Sequence, residues 1–156
     1  EIKPDFLRFP DGTLSESPGL LKALENRIKA FNPDIVVTHS PIDYHADHRA
    51  LAMAVQNAAS FRVAVLYADP LGGVGFEPTV YVDITPYKGA KVTAIRCHLS
   101  QDPERFVARA GLQNQWRAFQ CNGGLDDWAE AFRFEPRYPF TDIRNLLPPA
   151  PKVKRL

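Results

Sequence analysis

Ile35-Val36-Val37-Thr38-His39-Ser40-Pro41-Ile42-Asp43-Tyr44-His45-Ala46-Asp47-His48-Arg49 passes from a short apolar run into a polar loop, and the alanine-rich run Ala50-Leu51-Ala52-Met53-Ala54-Val55 follows it. That order reads as a strand over residues 34–39, a loop, and a helix over residues 48–59. In α/β sheets, ligands gather where the chain leaves the carboxyl end of a strand and enters the next helix. Three of the four histidines stand in this loop, and His45 and His48 flank Asp47.

Upstream, Leu20, Leu21, Leu24, Ile28 and Phe31 fall on one helical stripe. Ser17-Pro18 supplies a cap followed by a first helical position, and Asn32-Pro33 closes the helix because the residue before proline avoids helical geometry. Downstream, Arg62–Tyr67 reads as a strand buried on both faces, and Val80–Ile84 as a half-buried strand. Lys88–His98 reads as a helix with Val92 and Ile95 inward. From Pro103 the pattern is helical to about Ala110. Residues 111–124 are mixed, with Trp116 as a core candidate, and Trp128 and Phe132 also read as core. Strands alternating with helices predict an α/β domain with a mostly parallel sheet. One domain is expected over residues 1–147, followed by a proline-rich basic tail over 148–156.

Composition narrows the classes of function. A chain of 156 residues can bury a core as one domain. Its 45% hydrophobic and 24% charged residues are ordinary for a globular protein. A net charge of +1 gives no electrostatic footprint for nucleic acid or an anionic membrane, and no apolar run is long enough to span a bilayer. Two cysteines, Cys97 and Cys121, form no disulfide framework, so a cytoplasmic location is expected. Asp69-Pro70-Leu71-Gly72-Gly73-Val74-Gly75 lacks the spacing of a dinucleotide-binding loop.

Chemically, the loop brings together imidazoles and a carboxylate that can orient one of them. An imidazole off the metal can polarise a carbonyl or supply a proton near neutral pH. The bland alternative is a polar turn whose aspartate caps the helix and whose histidines are solvated. Asp43-Tyr44-His45-Ala46-Asp47-His48 also approaches the His-x-His-x-Asp-His motif of metallo-β-lactamase-type hydrolases. That motif needs His at the position of Asp43, and further histidines downstream where only His98 remains.

The chain resembles the later two-thirds of zinc-dependent de-N-acetylases of the PIG-L/LmbE family. Four segments in the family's order carry the resemblance: Phe9-Pro10-Asp11-Gly12; Asp43–Arg49, with Ala46 where the family has proline; Val82-Asp83-Ile84 with Lys91 and His98-Leu99-Ser100-Gln101; and Trp128-Ala129-Glu130-Ala131-Phe132. It implies a Rossmann-like three-layer domain lacking its first strand and helix. His48 would be a Zn²⁺ ligand, His45 the residue that stabilises the oxyanion and protonates the departing amine, and Asp47 the carboxylate that holds a histidine. The implied reaction is removal of an N-acetyl group from an N-acetylglucosamine-type sugar or conjugate, with Tyr44, His98 and Asp11 as candidate substrate contacts. Zinc would polarise the amide carbonyl and acidify its water.

The family's Ala-His-Pro-Asp-Asp-Glu motif, source of its other zinc ligands and general base, is absent from these 156 residues. A catalytic zinc takes three protein ligands and an open position. Asp43, His39 and His98 are the remaining donors, and nothing in their spacing selects among them. An N-terminal polypeptide completing the domain is therefore an expected partner, and an exposed sheet edge makes a homo-oligomer a further expectation. The alternative within the same fold is an inactive sugar- or partner-binding domain.

Overall fold

The computed structural model describes residues 3–149 and 151. Of the expected basic tail, Ala150 and residues 152–156 lie outside the described residues. Contacts group the chain into two units, Glu1–Ala68 with Glu135–Leu146, and Asp69–Phe134 with Leu147–Leu156.

In the first unit, helix α1 spans Leu20–Phe31, strand β1 Ile35–Thr38, helix α2 Ala46–Ala59 and strand β2 Ala64–Ala68. β1 and β2 pair in parallel, Val36 beside Val65 and Thr38 beside Tyr67. Ile28, Ala58, Ala59 and Val63 form a buried cluster against which Leu24, Val36 and Val65 pack. Alanines at 52, 58 and 59 are almost fully buried, which lets α2 lie close to its neighbours. Truncating Ile28 to Ala in such a cluster costs about 2–5 kcal/mol.

Two local expectations change. α1 begins at Leu20 with Gly19 as its N-cap, at φ +84°. Ser17 instead ends a short 3-10 turn, Leu14–Glu16, and its hydroxyl donates to the Thr13 carbonyl at 3.0 Å. The left-handed Gly19 redirects the chain, so the Ser17-Pro18 signal is spent one turn early. The apolar stripe of α1 is also only partly used: Leu20 and Ile28 are buried, whereas Phe31 is 83% exposed.

In the second unit, strand β3 spans Val80–Asp83, helix α3 Lys88–Arg96, helix α4 Pro103–Gln120 and strand β4 Ala129–Phe134. β3 and β4 pair antiparallel, with Val80 beside Phe132 and Asp83 beside Ala129. The mostly parallel expectation therefore holds for the β1–β2 ladder and not for this one. A single crossover helix returns a strand in the same direction. Two helices in series, α3 and α4, reverse it.

α4 also runs about ten residues past the expected end. Gly111 does not break it, because its missing side chain admits a neighbour: a Cβ there would stand 3.3 Å from Cζ2 of Trp128. Asp102 caps the helix by accepting the Arg105 N–H, and Pro103 takes its first turn. Trp116, read as core, is 55% exposed. Glu130 has its partner in Lys91 Nζ at 2.5 Å. The Asp69–Gly75 loop is bound to α4, since Arg117 donates to both Asp69 oxygens, at 2.7 and 3.0 Å, with both side chains buried.

Candidate metal centre and active site

The first unit places the histidine loop where its sequence order requires, between the carboxyl end of β1 and the start of α2. Thr38 and Ser40 are buried on either side of His39. The Asp43 N–H donates to the Ser40 carbonyl at 3.1 Å, and the Ile42 N–H to the Ser40 hydroxyl at 3.3 Å. This tight turn brings Asp43 back beside the helix start. Arg49, one turn into α2, donates from Nη1 to the carbonyls of Asp43 (2.7 Å) and Tyr44 (2.9 Å) and fixes the loop to the helix.

His39, Asp43 and His48 converge, with one donor atom from each lying within 4.8 Å of the others. The rings of His39 and His48 stack at 3.8 Å between centroids. Asp43 is 5% exposed. Its Oδ1 accepts the His45 N–H at 2.9 Å, and its Oδ2 lies 3.1 Å from His48 Nδ1. That short separation is not an aligned hydrogen bond: Nδ1 of His48 is buried without a hydrogen-bond partner. An orphaned imidazole nitrogen facing a buried carboxylate is an arrangement a cation satisfies. Two imidazoles and one carboxylate also match the donor chemistry of catalytic zinc.

Charge in the site follows the same geometry. Burial, and then the neighbouring His48, hold the His39 pKa below its usual 6.5, against a smaller opposing effect of Asp43. His39 is thus kept neutral, the form that binds metal.

His45 is the N-cap of α2: its Nδ1 accepts the Asp47 N–H at 3.2 Å. With Nδ1 used as an acceptor, the neutral ring carries its proton on Nε2. Its ring centroid lies 4.7 Å from that of His48, beside the cluster. The Asp47 carboxylate is engaged by backbone N–H groups. It accepts the N–H groups of Gly12 at 2.6 Å and Leu14 at 3.1 Å, and these bonds, Leu14's first, lower its pKa. The carboxylate beside His48 is Asp43.

The other sequence candidates are placed as follows. Tyr44 is 68% exposed and edge-on to His48, with centroids 6.3 Å apart. Asp11 is exposed in the turn that Asp47 ties down through Gly12. His98 is exposed just past α3, in the second unit, and is not part of the cluster. Sequence reasoning gave Asp43 and His39 no assigned role, because their approach to His48 depends on the Ser40–Asp43 turn and not on a helical repeat. The available signal was a buried-type strand ending in His next to an Asp that can close an Asx turn.

The fold and the donor set define an α/β protein with a candidate metal centre at a strand's carboxyl end. Residues 2–59 match the PIG-L family, described as GlcNAc-PI de-N-acetylase. The match takes in α1, β1, the histidine loop and α2. No curated protein sequence matches the chain. Among solved structures it is similar to the conserved protein TT1542 from Thermus thermophilus, at TM-score 0.66 and 24% identity, covering 82% of this chain and 64% of that one. It is also similar to GalB, the 4-carboxy-2-hydroxymuconate hydratase from Pseudomonas putida, at TM-score 0.61 and 20% identity, covering 78% and 60%. The chain thus spans under two-thirds of the length of either protein. Among the described residues, no helix is long and apolar enough to cross a membrane.

Proposed function

We propose that the protein is a zinc-dependent de-N-acetylase acting on an N-acetylated amino sugar or its conjugate. The observation that carries this reading is the convergence of His39, Asp43 and His48 around a buried imidazole nitrogen with no hydrogen bond, inside the segment that matches the family. His48 and Asp43 would hold the metal with His39 as the third donor. The metal would supply Lewis acidity toward the amide carbonyl and a more acidic water.

The chain's own residues would position the metal ligand and the oxyanion donor. The Asp43 side chain is preorganised by the His45 N–H and the Arg49 clamp on its carbonyl, so no reorganisation is needed to present its free oxygen. His45, capped at Nδ1, offers an Nε2–H donor to oxygen charge developing on an amide. Such preorganised donors are worth about 100- to 1000-fold in rate. Tyr44, exposed at the rim, is the candidate wall for a sugar ring.

GalB is a hydratase, and one fold hosts many reactions, so the fold does not choose between hydrolysis and hydration. The test is acetate release from N-acetylglucosamine conjugates by zinc-loaded protein, with His48→Ala and His45→Ala beside it. Acetate that depends on both histidines supports the reading. Stoichiometric zinc without acetate from any N-acetyl sugar would overturn it and leave a metal-dependent reaction of another kind.

A further inference from the structure

We propose that the outer face of α4 is a self-complementary contact through which two copies of this chain pair, antiparallel, about Leu112. Arg105, Ala108, Leu112, Trp116 and Phe119 recur at intervals of three and four and so share one face of the helix. The opposite face is the packed one, with Asn114, Arg117 and Ala118 buried. The outer face is open: Leu112 is 71% exposed, Trp116 55% and Phe119 65%, and Arg105 and Ala108 are exposed as well. A helix on a protein surface carries polar residues on its solvent side. Here the solvent side bears a leucine and two aromatic rings, stacked 5.6 Å apart at 19°.

The sequence of the stripe selects the occupant. Leu112 is its midpoint, with Arg105 and Phe119 equally far on either side, and Ala108 and Trp116 likewise. A twofold axis at Leu112 makes the contact isologous, each residue meeting its opposite number. Leu112 then meets the partner's Leu112. Ala108 leaves room for the partner's Trp116, and Arg105 reaches the face of the partner's Phe119, a cation–π pairing. The two Arg105 side chains stand at opposite ends of the contact, about 20 Å apart at 1.5 Å per residue. A parallel pairing would set them against each other. Only the antiparallel arrangement matches small with large and cation with ring. A two-helix contact falls at the low end of specific interfaces, under roughly 1,200 Å² in total, so association should be reversible and concentration-dependent.

The test is sedimentation of the intact protein over a roughly hundredfold concentration range around micromolar, with circular dichroism to verify folding. The expected result is a monomer–dimer equilibrium weakened at least about 100-fold by Leu112→Arg, which enters the contact twice. Phe119→Glu should keep the dimer, because it faces the partner's Arg105, whereas Phe119→Lys should break it. In a Cys97→Ser, Cys121→Ser background, Leu112→Cys should give an intermolecular disulfide on mild oxidation, and Arg105→Cys should not. A monomer at every concentration would overturn the proposal. So would a dimer indifferent to Leu112→Arg, or one that fails to cross-link through Leu112→Cys.

Discussion

His39 and His48 lie ring on ring, their centroids 3.8 Å apart and their planes 3° from parallel. Two imidazolium ions would not occupy that stack, and the geometry accordingly favours neutral rings. His39 stands at the end of β1 and His48 in the first turn of α2, so the stack also fastens the loop between them.

The lowered pKa of His39 sets a pH dependence. A histidine whose folded pKa is depressed binds fewer protons folded than unfolded. Its contribution to stability is complete above the unfolded value of 6.5 and is lost as pH falls through the lower folded value. His39→Phe retains a ring to stack but removes the titration. Thermal midpoints measured between about pH 5 and 8 should fall less steeply with acid in His39→Phe than in the unaltered protein.

Metal content should sort the cluster residues. His48→Ala is expected to abolish stoichiometric zinc, and Asp43→Asn to lower affinity by at least about 10- to 100-fold. His45→Ala should keep the metal, since Nδ1 is committed to capping α2, while reducing turnover by about 100- to 1000-fold. Elemental analysis beside steady-state kinetics separates the two kinds of effect. Loss of zinc in His45→Ala would remove the division of labour drawn above.

Asp47 joins the Gly12–Leu14 turn to α2 through two backbone N–H groups. Its folded pKa lies below the ordinary 3.8, so its contribution is present above that value and lost as pH falls through the folded one. Asp47→Asn should lower the thermal midpoint at neutral pH, and the gap to the unaltered protein should narrow under acid conditions. Amide exchange at Gly12 and Leu14 should rise in the variant. Unchanged protection there would show that the turn is held by something else.

Arg117 and Asp69 form a bidentate pair with side chains 5% and 7% exposed. Removing one partner strands a buried charge, so Arg117→Ala should cost about 3–5 kcal/mol in denaturant unfolding. Gly73→Ala should also destabilise, because its Cβ would stand 2.7 Å from Arg117 Nη2 at a φ of +62°. An Asp69→Asn, Arg117→Met double variant should be less destabilised than Arg117→Ala, since it leaves no unpaired charge.

Much of the site was legible because it is local. Strand, loop and helix around residues 34–59 follow from apolar patterning, and the histidine loop could be placed at the strand's carboxyl end from chain order alone. The helical pattern in sequence runs only from Pro103 to about Ala110, whereas α4 continues to Gln120, with the Trp128 ring lying against Gly111. Residues 111–124 show no clear pattern in sequence, so the exposure of Trp116, 55%, is decided by which side of α4 is covered.

The sequence by itself determined the existence of a strand–histidine loop–helix unit and the residue types available for metal chemistry. Tertiary structure decided which carboxylate serves which histidine. Asp47 lies next to His48 in the chain, yet its side chain turns to Gly12 and Leu14. Asp43 comes within 3.1 Å of His48 only because the Ser40–Asp43 turn folds it back. The physical reason is that helix geometry fixes where neighbouring side chains point, whereas a closed turn brings together residues that no periodic pattern relates.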